Sequence, residues 1–368
     1  MRRLSTSFAP LASAAILAAA CGTERPTDVT GIDPSAARGG GSAPAYTSTD
    51  VGALLGNYSS RANAVNDAGD VAASTSCCNA GTGGFAIVAG AVTPLPGTRG
   101  NALAISNGSP LYVAGSAGET SQPVRWSISG GTPSQPTNLA LLAGEVVGAA
   151  LGVNDAGDAV GRAGNSAAMW SAAGARTTVP APPNQGFVRG EGRDINNAGH
   201  AVFVFFIPSA EFEGGRARGY LRLASGGLVE LAPLPGDITS YVNGLSEVAN
   251  NALYVAGSTR TSADVMRAVR WKVDVTTGQI LSAEVRSERS HALAVSNAGG
   301  AAGFVEGPPN SLKSSAFLWR GSSLLALDPP TGGKDARAWA ESPSGKFVAG
   351  DAVLGTSRRA VRWTILAP

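Results

Sequence analysis

One short phrase recurs along this chain of 368 residues and limits what it can fold into. Its clearest copies lie at 63–74, 152–161, 194–202 and 294–303, with weaker ones at 104–108, near 248–251 and at 341–350. Each copy is a run of small and β-branched residues, a tight Asn/Asp/Gly turn and a second apolar run. Asn66 with Gly69, Asn154 with Gly157 and Asn196 with Gly199 mark the best-kept turns. Asn side chains bond their own backbone and Gly takes positive φ freely, so Asn-x-x-Gly between short apolar runs predicts a hairpin. The runs are too short for helices. Beyond each hairpin a third run ends at an aromatic residue: Phe85, Trp126, Trp170, Tyr220, Trp271, Trp319 and Trp363. A fourth run follows, as at 228–232 and 324–328.

The turn positions 66, 106, 154, 196, about 248, 296 and 342 are spaced by about 40 to 52 residues, the period of a four-stranded propeller blade. Seven sets of first, second and third strands need seven fourth strands, and only six follow their own sets. The seventh set, at 336–366, has none after it, whereas 46–54 reads as a fourth strand with nothing before it. The chain is therefore expected to be all-β: a β-propeller of seven four-stranded blades, closed by an N-terminal strand. Six or eight blades stay open, because the fifth copy is degraded. First-strand residues such as Ala62, Ala102, Ala150 and Ala338 are small, as crowding near the axis demands; Asp194 breaks that pattern and is expected to face the channel.

The organisation before the repeats is of another kind. Arg2 and Arg3 precede an apolar stretch, Phe8 to Ala20, ending in small residues before Cys21, which resembles the signal of bacterial lipoproteins. That resemblance makes 1–20 a signal peptide and Cys21 the lipidated residue, with the lipid membrane as partner; ordinary secretion is the alternative. Residues 21–45, rich in Gly, Ser, Thr and Pro, read as a flexible tether and 46–368 as the propeller. The expected location is exported, at the outer membrane or cell surface.

Composition excludes some functions. Net charge is +2, with no basic stripe for nucleic acid. The three cysteines are Cys21 and the adjacent pair Cys77 and Cys78, which is open between a vicinal disulfide, free thiols and a bridge to another chain. The two histidines, His200 and His291, lack metal-ligand spacing, and the Asn-Asp-Ala-Gly-Asp turns lack a full calcium loop, so no metal or other cofactor is expected. No Gly-x-Ser-x-Gly occurs. Glu211, Glu213, Asp237, Glu288 and Glu306 are the acids that loops could bring together, but nothing in the sequence pairs them. The candidate binding residues are therefore Trp339, in an inner strand, His291, at the start of another, and Phe205, Phe206, Glu211, Phe212 and Glu213 in the loop at 205–216. That loop, and those near 74–83, 260–267 and 306–314, all join second to third strands and should share one face.

The phrase Ala-x-x-Asn-x-x-Gly-x-Val-x-Gly, followed by Ala-Phe-x-Trp and Leu-x-x-Leu, resembles the bacterial extracellular HAF-repeat family. Ser315 to Trp319 matches best, and the lead-in from Tyr46 to Tyr58 is similar. Val-Arg-Trp replaces Phe-Leu-Trp at 124–126, 269–271 and 361–363, Tyr220 replaces Trp, and Pro343 enters the last turn. The resemblance implies an extracellular location and this fold; it transfers no catalytic residue. The sequence thus reads as a non-catalytic envelope or surface lipoprotein binding a protein or glycan. Two alternatives stand: a propeller hydrolase or lyase on polysaccharide, and a purely structural envelope protein.

Overall fold

The computed structural model describes residues 46–366 except 57, 77–82, 98, 209–214, 309–310 and 312, and shows seven β-sheets in a closed ring. Residues 1–45, which hold the expected signal peptide, tether and Cys21, lie outside the described residues, as do Cys77 and Cys78. Blade 1 comprises Ser59–Val65, Val71–Ser76, Gly83–Val88 and Ala91–Pro94, and the same antiparallel order recurs through blade 6, the outer strand of blade 2 being split into Thr132–Pro133 and Thr137–Asn138. Inner strands are Asn101–Ile105, Gly148–Val153, Arg189–Ile195, Asp237–Leu245, Ser290–Val295 and, for blade 7, Gly333–Glu341. Blade 7 takes its outer strand from Tyr46–Asp50, which pairs with Ser357–Ile365 from Tyr46 opposite Ile365 to Asp50 opposite Val361. The expected N-terminal closure is present. The pairing stops at Asp50, which caps a 3₁₀ turn, Val51–Leu55, by accepting from the Ala53 N–H at 2.9 Å. Val51 and Leu55 are buried between blades 7 and 1.

The core is divided among the blade interfaces. Trp126, Trp170, Trp271, Trp319 and Trp363 on the third strands are at most 1% exposed. Small inner-strand residues reflect contact between neighbouring blades rather than crowding on the axis. A Cβ on Gly152 would lie 2.8 Å from the Asp194 Cα of the next blade, and one on Gly244 would lie 3.0 Å from the Ala294 Cα. The axis itself faces larger residues. Every inner strand carries a β-bulge at the same place, at Asn63, Leu103, Leu151, Arg193, Asn243, Leu293 and Trp339. A bulge re-aims one side chain, and all seven line an axial cavity of about 170 Å³.

The repeated turns lock the blades to one another. The fifth turn begins at Ser246, not near 248: its N–H bonds the Tyr254 carbonyl as that of Asn66 bonds Asp70. Asn66 accepts from the Asp70 N–H through its side chain and donates to the Ser106 carbonyl of the next blade at 3.1 Å. Asn154 and Asn196 repeat both contacts, donating to Asn196 and Ser246. One residue on, a second relay closes round the axis. Backbone N–H groups of Asp67, Asn107, Asp155, Asn197 and Glu247 donate in turn to the side chains of Asn107, Asp155, Asn197, Glu247 and Asn297. Asn297 N–H reaches the Pro343 carbonyl, and Ser344 N–H returns to Asp67 at 2.7 Å.

The Val-Arg-Trp departures have a structural reason. Arg125, Arg270 and Arg362 donate to the carbonyls of Gly157, Gly299 and Gly69, each the turn glycine of the following blade. Each guanidinium lies over an aromatic ring of its own second strand: Tyr112, Tyr254 and Phe347. Among the described residues no helix is long and apolar enough to cross a membrane.

Candidate functional site

Antiparallel order puts the starts of all inner strands and all second-to-third connections on one face, and the Asn/Ser turns on the other. The turn face is occupied by its own hydrogen bonds. Asp70 and Asp158, the last residues of the Asn-Asp-Ala-Gly-Asp turns, accept the backbone N–H groups of Ala89 and Ala172. His200 does the same work in blade 4, its Nδ1 accepting from Ala224 N–H at 3.1 Å, and burial lowers its pKa. Among the described residues no three His, Cys, Asp or Glu side chains converge in a way that could hold a metal ion.

Asp194 does not project freely into the channel. Its carboxylate accepts from Ile195 N–H at 2.9 Å and from Leu245 N–H of blade 5 at 3.0 Å, and burial pushes its pKa up to about 7. Glu341 is more unusual. It ends the inner strand of blade 7, where the other blades have Val65, Ile105, Val153, Ile195, Leu245 and Val295. It is 7% exposed and burial pushes its pKa up to about 8. Ser296, Arg320 and Arg270 lie close enough to favour its charged form, yet neither carboxyl oxygen completes a hydrogen bond of normal geometry.

The axial cavity runs from the bulge residues to the turn residues Asn107, Asp155, Asn197, Glu247 and Asn297, and a separate aromatic and charged cluster stands at the loop-face end of the inner strands. On the side formed by blades 6, 7 and 1, His291 stacks on Phe304 with centroids 4.7 Å apart, and Phe304 meets Trp339 at 5.7 Å. Trp339 is half-buried, and its Nε1 is fixed by Asp351 at 2.5 Å. Arg61 lies over the Trp339 ring at 4.8 Å, and Arg337 over Phe304 at 5.3 Å. His291 Nε2 contacts Glu306 at 2.9 Å; that bond is the main reason the Glu306 carboxyl titrates below its usual range. Across the mouth, Arg189 covers Phe206 at 4.2 Å and, with Arg193, pairs with the buried Glu191.

The structure therefore places Trp339 and His291 in one cluster, joined by Phe304, which sequence reasoning did not single out. Phe304 belongs to a second strand that reads as core and is itself buried, and the bulge in the blade 7 inner strand turns Trp339 towards it. Phe206 is half-buried on the opposite side of the mouth. Phe205 is a correction: it is 1% exposed and packs on Phe187 and Tyr220, because alternation on its strand turns it into the blade interface. Glu211, Phe212 and Glu213 lie outside the described residues, as does the Glu288 side chain. Asp237 is paired with Arg267 at 2.6 Å rather than with a second acid.

No protein-family model and no curated protein sequence matches the chain. Solved structures do. The Dos1 propeller is similar with a TM-score of 0.50 at 9% identity, over 87% of this chain and 94% of that one. The Nup133 β-propeller domain of Vanderwaltozyma polyspora gives 0.42 at 10% identity, over 87% and 97%. The SapL1 lectin in complex with alpha methyl fucoside gives 0.40 at 10% identity, over 76% and 99%. At such identity the likeness is one of fold, and the fold is a seven-bladed β-propeller.

Proposed function

We propose that this chain is a non-catalytic, lipid-anchored envelope protein whose propeller binds an envelope protein or glycan at its loop-face mouth. The observation that supports this is the cluster of Trp339, Phe304 and His291 with Arg61 and Arg337 beside it. Aromatic side chains with a few convergent polar groups on a rigid scaffold are a common make-up of a binding site. The basic start, apolar stretch and Cys21 support the anchor, and the resemblance to HAF repeats supports the extracellular location.

Two measurements test it. Cys21→Ser should release the exported protein from the membrane; retention of the variant on the membrane would refute the anchor. The full chain should bind a component of envelope glycan or protein fractions saturably, and Trp339→Ala should abolish that binding. Binding that survives Trp339→Ala, or no binding from a folded protein, sinks the reading. The hydrolase or lyase alternative has one observation in its favour, the His291–Glu306 contact beside the same rings. It requires polysaccharide turnover that His291→Ala removes.

A further inference from the structure

Resting on the binding reading above, the structure allows its ligand to be narrowed. We infer that the mouth between blades 6, 7 and 1 binds a carboxylated sugar unit of an acidic glycan. This end of the ring carries a local excess of positive charge. Arg289 is matched by Glu306 at 3.7 Å, and Arg358 by Asp335 and Asp351. Arg61 and Arg337 have no carboxylate within ion-pair distance among the described residues. Each uses one donor: Arg61 Nε on Asn63 at 2.6 Å and Arg337 Nε on Ser314 at 3.0 Å. A guanidinium has five N–H donors, so both forks keep their Nη ends, the ends that take a carboxylate in bidentate fashion. These two contacts hold each fork by its stem and spare its tip.

The nearby acids do not cancel this preference. Glu306 is bonded by His291 and Arg289 and Asp351 by Trp339 and Arg358; each also acts at longer range on one of the two forks, Glu306 on Arg337 and Asp351 on Arg61, so the excess rests on four guanidiniums against the three carboxylates Glu306, Asp335 and Asp351. Beside the forks stand the half-buried Trp339 and His291, joined through the buried ring of Phe304 at 5.7 and 4.7 Å. A sugar acid offers on one small ring what this surface asks for: an apolar C–H face for Trp339 and His291 and a carboxylate for the forks. An acidic peptide carries its carboxylates on mobile stems, whose ordering costs affinity that the rings do not return.

Trp339 provides the probe. It is the one tryptophan of six that is not fully buried, so acrylamide quenching of the folded chain reports mainly on this mouth. The full chain is titrated with oligogalacturonate, with the same oligomer after carboxyl reduction, and with oligoglutamate of matched charge. Oligogalacturonate is expected to shield Trp339 saturably, the reduced oligomer not to. Arg61→Gln and Arg337→Gln should each weaken binding by about tenfold to a hundredfold, the range for a hydrogen bond to a charged group. Arg61→Lys, which keeps charge but loses the fork, should recover only part. Unchanged melting temperatures separate these effects from misfolding. Equal binding of the reduced oligomer overturns the acidic class and leaves a glycan site. Shielding by oligoglutamate alone overturns the glycan. If none of the three shields Trp339 while an envelope component still binds in a Trp339-dependent way, this inference fails and the broader binding reading stands.

Discussion

Glu341 offers a sharp test of the physical reading of this fold. Six blades close the inner strand on Val, Ile or Leu, and the seventh closes it on a carboxyl that burial pushes up to about 8. An acid whose folded pKa exceeds its unfolded value holds a proton in the native state that the unfolded chain has released. Its stabilising contribution is full below the unfolded pKa of about 4.3 and is lost as pH rises through the folded pKa. Inside that window each such group lowers unfolding free energy by about 1.4 kcal/mol per pH unit. Between about pH 5 and about pH 7, Glu341 alone should therefore remove about 2.7 kcal/mol.

The assay is urea unfolding of parent and Glu341→Gln at several pH values across that window. The amide cannot titrate, so the stability of the variant relative to the parent should climb by about 1.4 kcal/mol per pH unit and level off above about pH 8. Using the difference matters, because Asp194, raised to about 7, adds a slope of the same sign, whereas His200, lowered by burial, opposes both. Asp194→Asn should remove its own share in the same manner, levelling off near pH 7, against the loss of an acceptor for Leu245 N–H. A difference between Glu341→Gln and parent that stays flat with pH would refute the reasoning. It would mean that Arg320, Arg270 and Ser296 hold the carboxylate ionised at an ordinary pKa, and that burial is not the dominant influence.

Four further outcomes follow from the contacts that hold blade 7 together and join it to blade 1. Arg362→Met should cost about 1.5–3 kcal/mol in chemical unfolding, the worth of a hydrogen bond from a charged group, here to the Gly69 carbonyl. A double-mutant cycle with Phe347→Leu should give a coupling of about 0.5–1 kcal/mol, and a coupling of zero would dismiss the stacked geometry. Gly69→Ala places a side chain at φ +79° with its Cβ 3.0 Å from Phe347, so a loss of at least about 1 kcal/mol should appear in the same measurement. Deleting 46–50 exposes an edge of Ser357–Ile365 and uncovers Trp363, and should produce early proteolysis near blade 7 and a lower melting temperature; an unchanged melting temperature would count against closure by that strand.

How far the sequence foretold this molecule depends on whether a contact is made within a repeat or between repeats. Blade number, strand order and N-terminal closure follow from period and from counting fourth strands, since each blade carries its own turn chemistry. The five buried tryptophans were legible for the same reason. What escaped notice lies across blade boundaries. The bulge that turns Trp339 towards the axis has no composition of its own: Asn, Leu, Arg and Trp all occupy the place. The arginine clasp did leave a trace. Tyr112, Tyr254 and Phe347 each lie near the start of a second strand and open the phrase aromatic-Val-Ala-Gly, each is followed by Val-Arg-Trp, and each precedes a blade with a short Gly turn. That trace is visible only when one copy is aligned with the next rather than with itself. The mouth is the extreme case. His291, Phe304, Trp339 and Arg61 come from three blades and are far apart along the chain, and they meet because a closed ring sets blade 1 against blade 7. Closure is thus what makes the site: the strand Tyr46–Asp50, outermost in blade 7, completes the sheet whose inner strand sets Trp339 beneath Arg61 of blade 1.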